Sequence, residues 1–331
     1  PSAVTDAAAA SMSHVAWDGF AHHDTIFPLF LFIAGVSFPY SVAKQRAGGM
    51  SEGRIYAKIV RRGLTLVVLG MVYNGLFKLD FENLRIASVL GRIGLAWSIA
   101  AVLYLNFGVK TRAAIAVAVL AGYGALSALV AAPDAAGAGP LTFEGNLAGY
   151  IDRQFLPGKL IYGSFDPEGL LSTVPAVVTA MLGMFTGEFV RRSDIRGGRK
   201  TRWWAAAAAA LLAAGLAFSG VLPVNKKLWS STFVCVVGAY SLGMFALFYY
   251  LIDVRGWRRW TLFFRVVGLN SITIYLAQRI VGFGRISDFF LGGIASKCPE
   301  AVAAVISSAG YVAVCWLFLY FLYRKNVFLK V

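Results

Sequence analysis

The sequence predicts an all-α fold, a polytopic membrane helix bundle with about nine spans. Three observations carry that reading. The 331 residues are 58% hydrophobic and only 14% charged, whereas a soluble domain carries about 25% charged residues. The mean hydropathy is +0.68. Apolar stretches long enough to cross about 30 Å of hydrocarbon recur along the chain, separated by short segments whose charge alternates.

The stretches run over 26–43, 60–77, 86–107, 112–132, 169–190, 203–222, 229–252, 262–284 and 301–323. The first contains Pro28 and Pro39, and the eighth contains Asn270, Gln278 and Arg279. Segment 44–62, after the first stretch, carries Lys44, Arg46, Arg54, Lys58, Arg61 and Arg62 against Glu52. Lys110 and Arg112, the cluster from Arg191 to Arg202, and Arg255, Arg258 and Arg259 follow, and the tail ends with Arg324, Lys325 and Lys330. Basic loops stay on the cytoplasmic side of a membrane. The intervening segments, including the N-terminal one, are less basic, so the C-terminus is expected inside and the N-terminal segment outside. This patterning explains the net charge of +15 without nucleic acid, since no basic face interleaved with aromatics is present.

Segment 133–168 is the only long outer connection. It holds Tyr150, Phe155, Tyr162 and Phe165, which predicts an ordered extracytoplasmic cap rather than a slack loop. Cys235 and Cys315 fall in apolar runs and Cys298 in a loop, so neither a disulfide framework nor a metal site is expected. There is no phosphate-binding glycine loop, no nucleophile elbow and no zinc-protease motif. Any chemistry must rest on histidine, carboxylates and amides.

All three histidines, His14, His22 and His23, precede the first span, with Trp17 and Asp18 between them and Asp24 directly after. Imidazole titrates near neutral pH and can accept a proton from an attacking group, and a carboxylate can orient it. The same residues also suit a polar interface with Trp17 as a membrane anchor. Arg85 and Arg92 are seven residues apart, so they are expected to share a helix face, about 10 Å apart along its axis. Arg85 could snorkel to the surface, while a charge at the depth of Arg92 faces a cavity or a partner. Asn270 and Ser271 lie within a span and either glue helices together or line a cavity. Asp166 and Glu168 enter a helix start, where acidic residues cap or recognise a hydroxyl-rich or cationic substrate. Asn225 and Trp229 belong to a short outer turn.

Together the stretches HVAWDGFAHHDTIFPLFLFIAGVS (14–37), RIASVLGRIG (85–94), GYIDRQFLPGKLIYGSFDPEGLLSTV (149–174), LPVNKKLWS (222–230), GLNSITIY (268–275) and YRKNVFLKV (323–331) resemble the heparan-α-glucosaminide N-acetyltransferase family and its bacterial relatives. The resemblance implies transfer of an acetyl group from cytoplasmic acetyl-CoA to the amine of an extracytoplasmic glucosamine-type sugar, in a bacterial inner membrane. It places the catalytic histidine at His14 and its aspartate at Asp24. Asn270 is assigned as a catalytic donor to the developing charge; Arg85, Arg92 and Ser271 are assigned to the acetyl-CoA passage. Trp17, Asp166, Glu168, Asn225 and Trp229 are assigned to the amino-sugar acceptor. Membrane lipids and a second copy of the chain are the other expected partners, and no metal is expected.

The chain 1–331 then reads as one transmembrane acyltransferase-like domain. An earlier helix with a Leu-Asp-x-x-Arg-Gly-like motif, present in the family, is absent here. This suggests an N-terminally incomplete chain and a bundle of ten or more spans. The outer loop is also shorter and poorer in cysteine than in animal members, so heparan sulfate itself is not the expected acceptor. The competing reading is an amino-sugar or small-molecule transporter without chemistry, supported by Arg92 and Asn270 inside spans.

Overall fold

A computed structural model of the protein describes residues 14–329. Residues 1–13 and 330–331 lie outside the described residues. Among those described there are twelve α-helices and no β-strand, with two isolated bridges, Arg85–Gly158 and Ala131–Asn146. The fold is that of an all-α polytopic membrane protein. One compact unit runs to Arg255 and a second begins at Gly256.

In the first unit a short 3₁₀ turn, His22–Thr25, leads into α1, Ile26–Ala47. There follow α2 Glu52–Tyr73, α3 Val89–Asn106, α4 Val109–Leu129, the short α5 Leu147–Phe155, α6 Leu170–Val190, α7 Gly197–Ala217 and α8 Ser231–Tyr249. Helix starts follow local chemistry. Ser88, Asn146 and Ser230 each accept a hydrogen bond from a backbone N–H three residues on, at 2.9, 2.6 and 3.2 Å. Such caps satisfy donors that have no partner inside the helix. For α6, Asp152 of α5 supplies the equivalent from outside, accepting from Leu170 N at 2.8 Å.

α6 is the most buried of the long apolar helices. It packs on α1 backbone to backbone. A Cβ at Gly183 would stand 1.9 Å from Phe32 O, and one at Gly35 2.2 Å from Ala180 O. In lipid, where apolar side chains gain little by leaving one apolar medium for another, such close approach is a main source of helix association. The core around this contact includes Leu31, Phe38, Trp97, Met181, Met184 and Phe233.

The second unit contains α9 Thr261–Leu269, α10 Ser271–Ile280, α11 Phe283–Ala295 and α12 Glu300–Arg324. Two sequence expectations are corrected here. The stretch 262–284 is not one continuous helix: it breaks at Asn270, whose backbone leaves the helical region at φ −128° and ψ 29°. The Asn270 amide donates to Val327 O at 3.2 Å and accepts from Thr273 Oγ1 at 3.1 Å, so its side chain supports the break. The connection 285–300 is largely helix α11 rather than loop.

Among the described residues six helices are long and apolar enough to cross a membrane. α2 and α7, with 22 and 21 residues, have the length as well. Their basic clusters, including Arg54, Lys58, Arg61 and Arg62 in α2 and Arg199, Lys200 and Arg202 in α7, lie inside the first turns rather than in the preceding loops.

Candidate active site

Four segments of the first unit meet at one end of its helices: residues 14–25, the strand-like stretch before α3, the cap 133–168, and the α7–α8 connection. Gly19 N donates to Val224 O at 2.8 Å, and Lys159 N to Leu84 O at 3.1 Å. Trp17 donates its indole N–H to Leu141 O at 2.9 Å and lies edge-on to Phe143 and Phe165. Tryptophan here ties the N-terminal segment to the cap. The cap itself is ordered around Phe143, Tyr162 and Phe165. At the opposite helix ends, Arg112 pairs with Glu188 at 2.7 Å, and Arg191 donates to Pro39 O at 3.0 Å.

The structure brings His14 and Asp24 together, with Nδ1 and Oδ1 2.7 Å apart. Asp24 is buried, and Ala21 N donates to its other oxygen at 3.2 Å. The His14 side chain is 53% exposed against 2% for Asp24. A buried carboxylate thus orients an imidazole that is open to an incoming molecule. His23 stacks edge-on to His14 with ring centroids 4.3 Å apart, and His22 faces Tyr240.

A residue that the sequence did not single out completes the cluster. Lys226 Nζ lies 3.1 Å from His14 Nδ1 and 3.2 Å from Asp24 Oδ1. Burial lowers the proton affinity of Lys226, and the Asp24 charge partly restores it. Its neighbours explain how it is aimed. Asn225 donates to Asp18 Oδ1 at 3.0 Å and accepts from Leu228 N at 2.9 Å. Trp229 is held at φ +52°, an uncommon conformation for a bulky residue, with its indole N–H on Thr179 Oγ1 at 3.3 Å. Both Asn225 and Trp229 are buried. The only sequence signal for Lys226 was its place between these two.

A second polar cluster lies at the α3 and α6 starts. Arg85 binds Asp166 through two hydrogen bonds of 2.7 Å and also reaches Glu168. Burial opposes the Arg85 charge, but the two carboxylates outweigh it and hold the guanidinium above its usual range. The expectation that Arg85 and Arg92 share a helix face is corrected: Arg85 precedes the Ser88 cap, and only Arg92 lies on α3. Arg85 pairs instead with Gly158 in an isolated antiparallel bridge, and Gly158 itself stands at φ +78°.

Arg92 is buried. It donates to Ser172 Oγ, and its guanidinium centres 5.0 Å from the Trp229 ring. Among the described residues its Nε and Nη1 have no hydrogen-bond partner. It lines a 410 Å³ groove with Ser88, Glu168, Leu95, Ile99 and Val174. Asp152, also buried, has one oxygen on the α6 start and the other unpartnered; burial pushes its carboxyl up to about 7. Nothing in the amphipathic stretch LAGYIDRQF marked Asp152 in advance. Asn270 and Ser271 lie in the second unit, at the break between α9 and α10.

These features define a multi-pass, all-α membrane protein with a histidine–carboxylate–lysine cluster at one end of its bundle. The sequence profile of the family described as heparan-alpha-glucosaminide N-acetyltransferase, catalytic, matches residues 3–220, and the chain belongs to that family. It is similar to heparan-alpha-glucosaminide N-acetyltransferase of Homo sapiens, 28% identical over 96% of this chain and 55% of the relative. The Mus musculus protein of the same name is 26% identical over 96% and 56%. The chain thus spans about half the length of the curated relatives it matches.

Proposed function

We propose that this protein is a transmembrane N-acetyltransferase that moves an acetyl group from cytoplasmic acetyl-CoA to the amine of a glucosamine-type sugar outside a bacterial inner membrane. The observation that carries the reading is the exposed His14 imidazole hydrogen-bonded to buried Asp24, in a chain that belongs to an acetyltransferase family.

The residues fit the chemistry. Only a neutral amine attacks a carbonyl, so an ammonium acceptor must first lose a proton. With Nδ1–H donating to Asp24, His14 presents the Nε2 lone pair outward, as base or as acetyl carrier. Acetyl-CoA supplies an activated thioester. Arg92, with two unpartnered nitrogens beside the 410 Å³ groove, is suited to hold a carbonyl or anionic oxygen of that donor. Arg85, Asp166 and Glu168 fasten the cap beside the site and leave the Glu168 side chain, 11% exposed, as a contact for acceptor hydroxyls. The unlike ends of the first unit support the sidedness. The His14 cluster occupies one end, and Arg46, Arg112 and Arg191 lie at the other.

The test is transfer of labelled acetyl from acetyl-CoA to glucosamine by the protein in liposomes. His14→Ala is expected to lower the rate by 10²-fold or more, the usual scale for losing a general base or nucleophile. An alanine variant as fast as wild type would remove the assignment.

A further inference from the structure

We propose that Lys226 is a positioning residue that keeps His14 in its neutral, reactive form. This rests on the acetyltransferase reading above and adds a component to it.

The argument begins with hydrogen-bond capacity. His14 Nδ1 has one in-plane site: it either carries a hydrogen or offers a lone pair. It lies 2.7 Å from Asp24 Oδ1 and 3.1 Å from Lys226 Nζ. The shorter contact, to a carboxylate, takes the hydrogen. Lys226 then donates to Asp24 Oδ1 at 3.2 Å and faces Nδ1 as a charge without a bond. One buried carboxylate therefore serves two cations-in-waiting.

An aspartate alone beside an imidazole favours the imidazolium, which has no lone pair with which to accept a proton or an acetyl group. The Lys226 ammonium opposes that effect at nearly the same distance. Asp24 can then orient the ring and stabilise the transient imidazolium without trapping it. If His14 carries the acetyl group, the adjacent cation likewise favours its release to the amine.

Among the described residues the charged and titratable groups around the ring are few. From the N-terminal segment come Asp24, His23 and His22. From the α7–α8 connection come Lys226 and Lys227, the latter donating to Ala16 O at 2.5 Å. From the cap side, Glu168 acts on Lys226. Lys226 is the cation in direct contact with both members of the pair. The loop that aims it is fixed by the Asn225 hydrogen bonds and the buried Trp229, so its position is built rather than incidental.

The experiment measures kcat and KM against pH for wild type, Lys226→Met, Lys226→Arg and His14→Ala, each as the full chain in liposomes with acetyl-CoA and glucosamine. Lys226→Met is expected to lower kcat about tenfold at neutral pH, with KM for acetyl-CoA unchanged. The acid limb of kcat/KM should move to higher pH by on the order of one unit, since removing a cation a few ångströms away favours the protonated ring. Lys226→Arg keeps the charge and should leave that limb in place. Lys226→Gln, which retains a donor for Asp24 without the charge, reads the same shift should the methionine variant not fold. Uncharged variants with a wild-type acid limb would overturn the inference while an inactive His14→Ala left the transferase reading standing. A fully active His14→Ala would instead remove the reading beneath it.

Discussion

At the residue scale, charge is placed where the cap must stay seated. Arg85 forks onto Asp166, which is fully buried, and Arg153 binds Asp134 at 2.6 and 2.8 Å. Asp152 differs from these: among the described residues it forms no salt bridge, and burial raises its pKa to about 7 against the weaker opposing effect of the Arg92 charge. The sign of its effect follows. A carboxyl whose folded-state pKa lies above its unfolded value favours folding most below the unfolded value near 3.8, and that contribution is lost as pH rises to about 7. Asp152→Asn keeps an oxygen for Leu170 N and cannot ionise. It should therefore stabilise the protein at pH 8 by on the order of 1 kcal/mol, with the gain vanishing toward pH 4. Thermal unfolding of the two proteins in detergent across that range checks this. An asparagine variant less stable than wild type at pH 8 would show that the charge itself holds α5 on the α6 start.

At the scale of elements, the crossing of α1 and α6 sets the geometry of the site, because α1 begins directly after the His22–Thr25 turn that holds Asp24. No side chain fits between the two backbones at Gly183. Gly183→Val should separate the helices, cost about 1–3 kcal/mol as an overpacking change, and lower acetyl transfer with it. The matching control is Gly268→Val, whose Cβ would meet nothing within 4 Å; retained stability in Gly183→Val would mean that the close crossing is dispensable. The apolar runs behind α1, α3, α4, α6, α8 and α12 are legible in the sequence, whereas the Ser88, Asn146 and Ser230 caps emerge only from the structure. The break at Asn270 is not legible, because a hydropathy window sums over one polar residue and the Asn270 partner, Val327 O, is 57 residues away. Lys226 was hidden for a similar reason. Its partners His14 and Asp24 lie more than 200 residues earlier, and in the sequence it is one of two lysines in an ordinary turn.

At the scale of the whole molecule, the proposed chemistry requires the two ends of the helices in the first unit to face different compartments. The cap carries Glu144, Asp152, Asp166 and Glu168, and the α6–α7 connection carries Arg191, Arg192 and Arg196. Lys and Arg are the residues that fix orientation during insertion, so the cap is expected outside and the α6–α7 connection inside. Two small, exposed positions report on this without touching the site: Ala136 in the cap and Ser193 in the connection. Cys235, Cys298 and Cys315 are first replaced, leaving no competing thiol. In intact cells, a membrane-impermeant maleimide should then label Ala136→Cys at once and Ser193→Cys only after the membrane is opened. Labelling of both from the outside would place His14 and the basic helix ends in one compartment. The donor would then have no membrane to cross, and a reaction divided between two faces of the protein would have to be abandoned, whatever the activity of His14 variants.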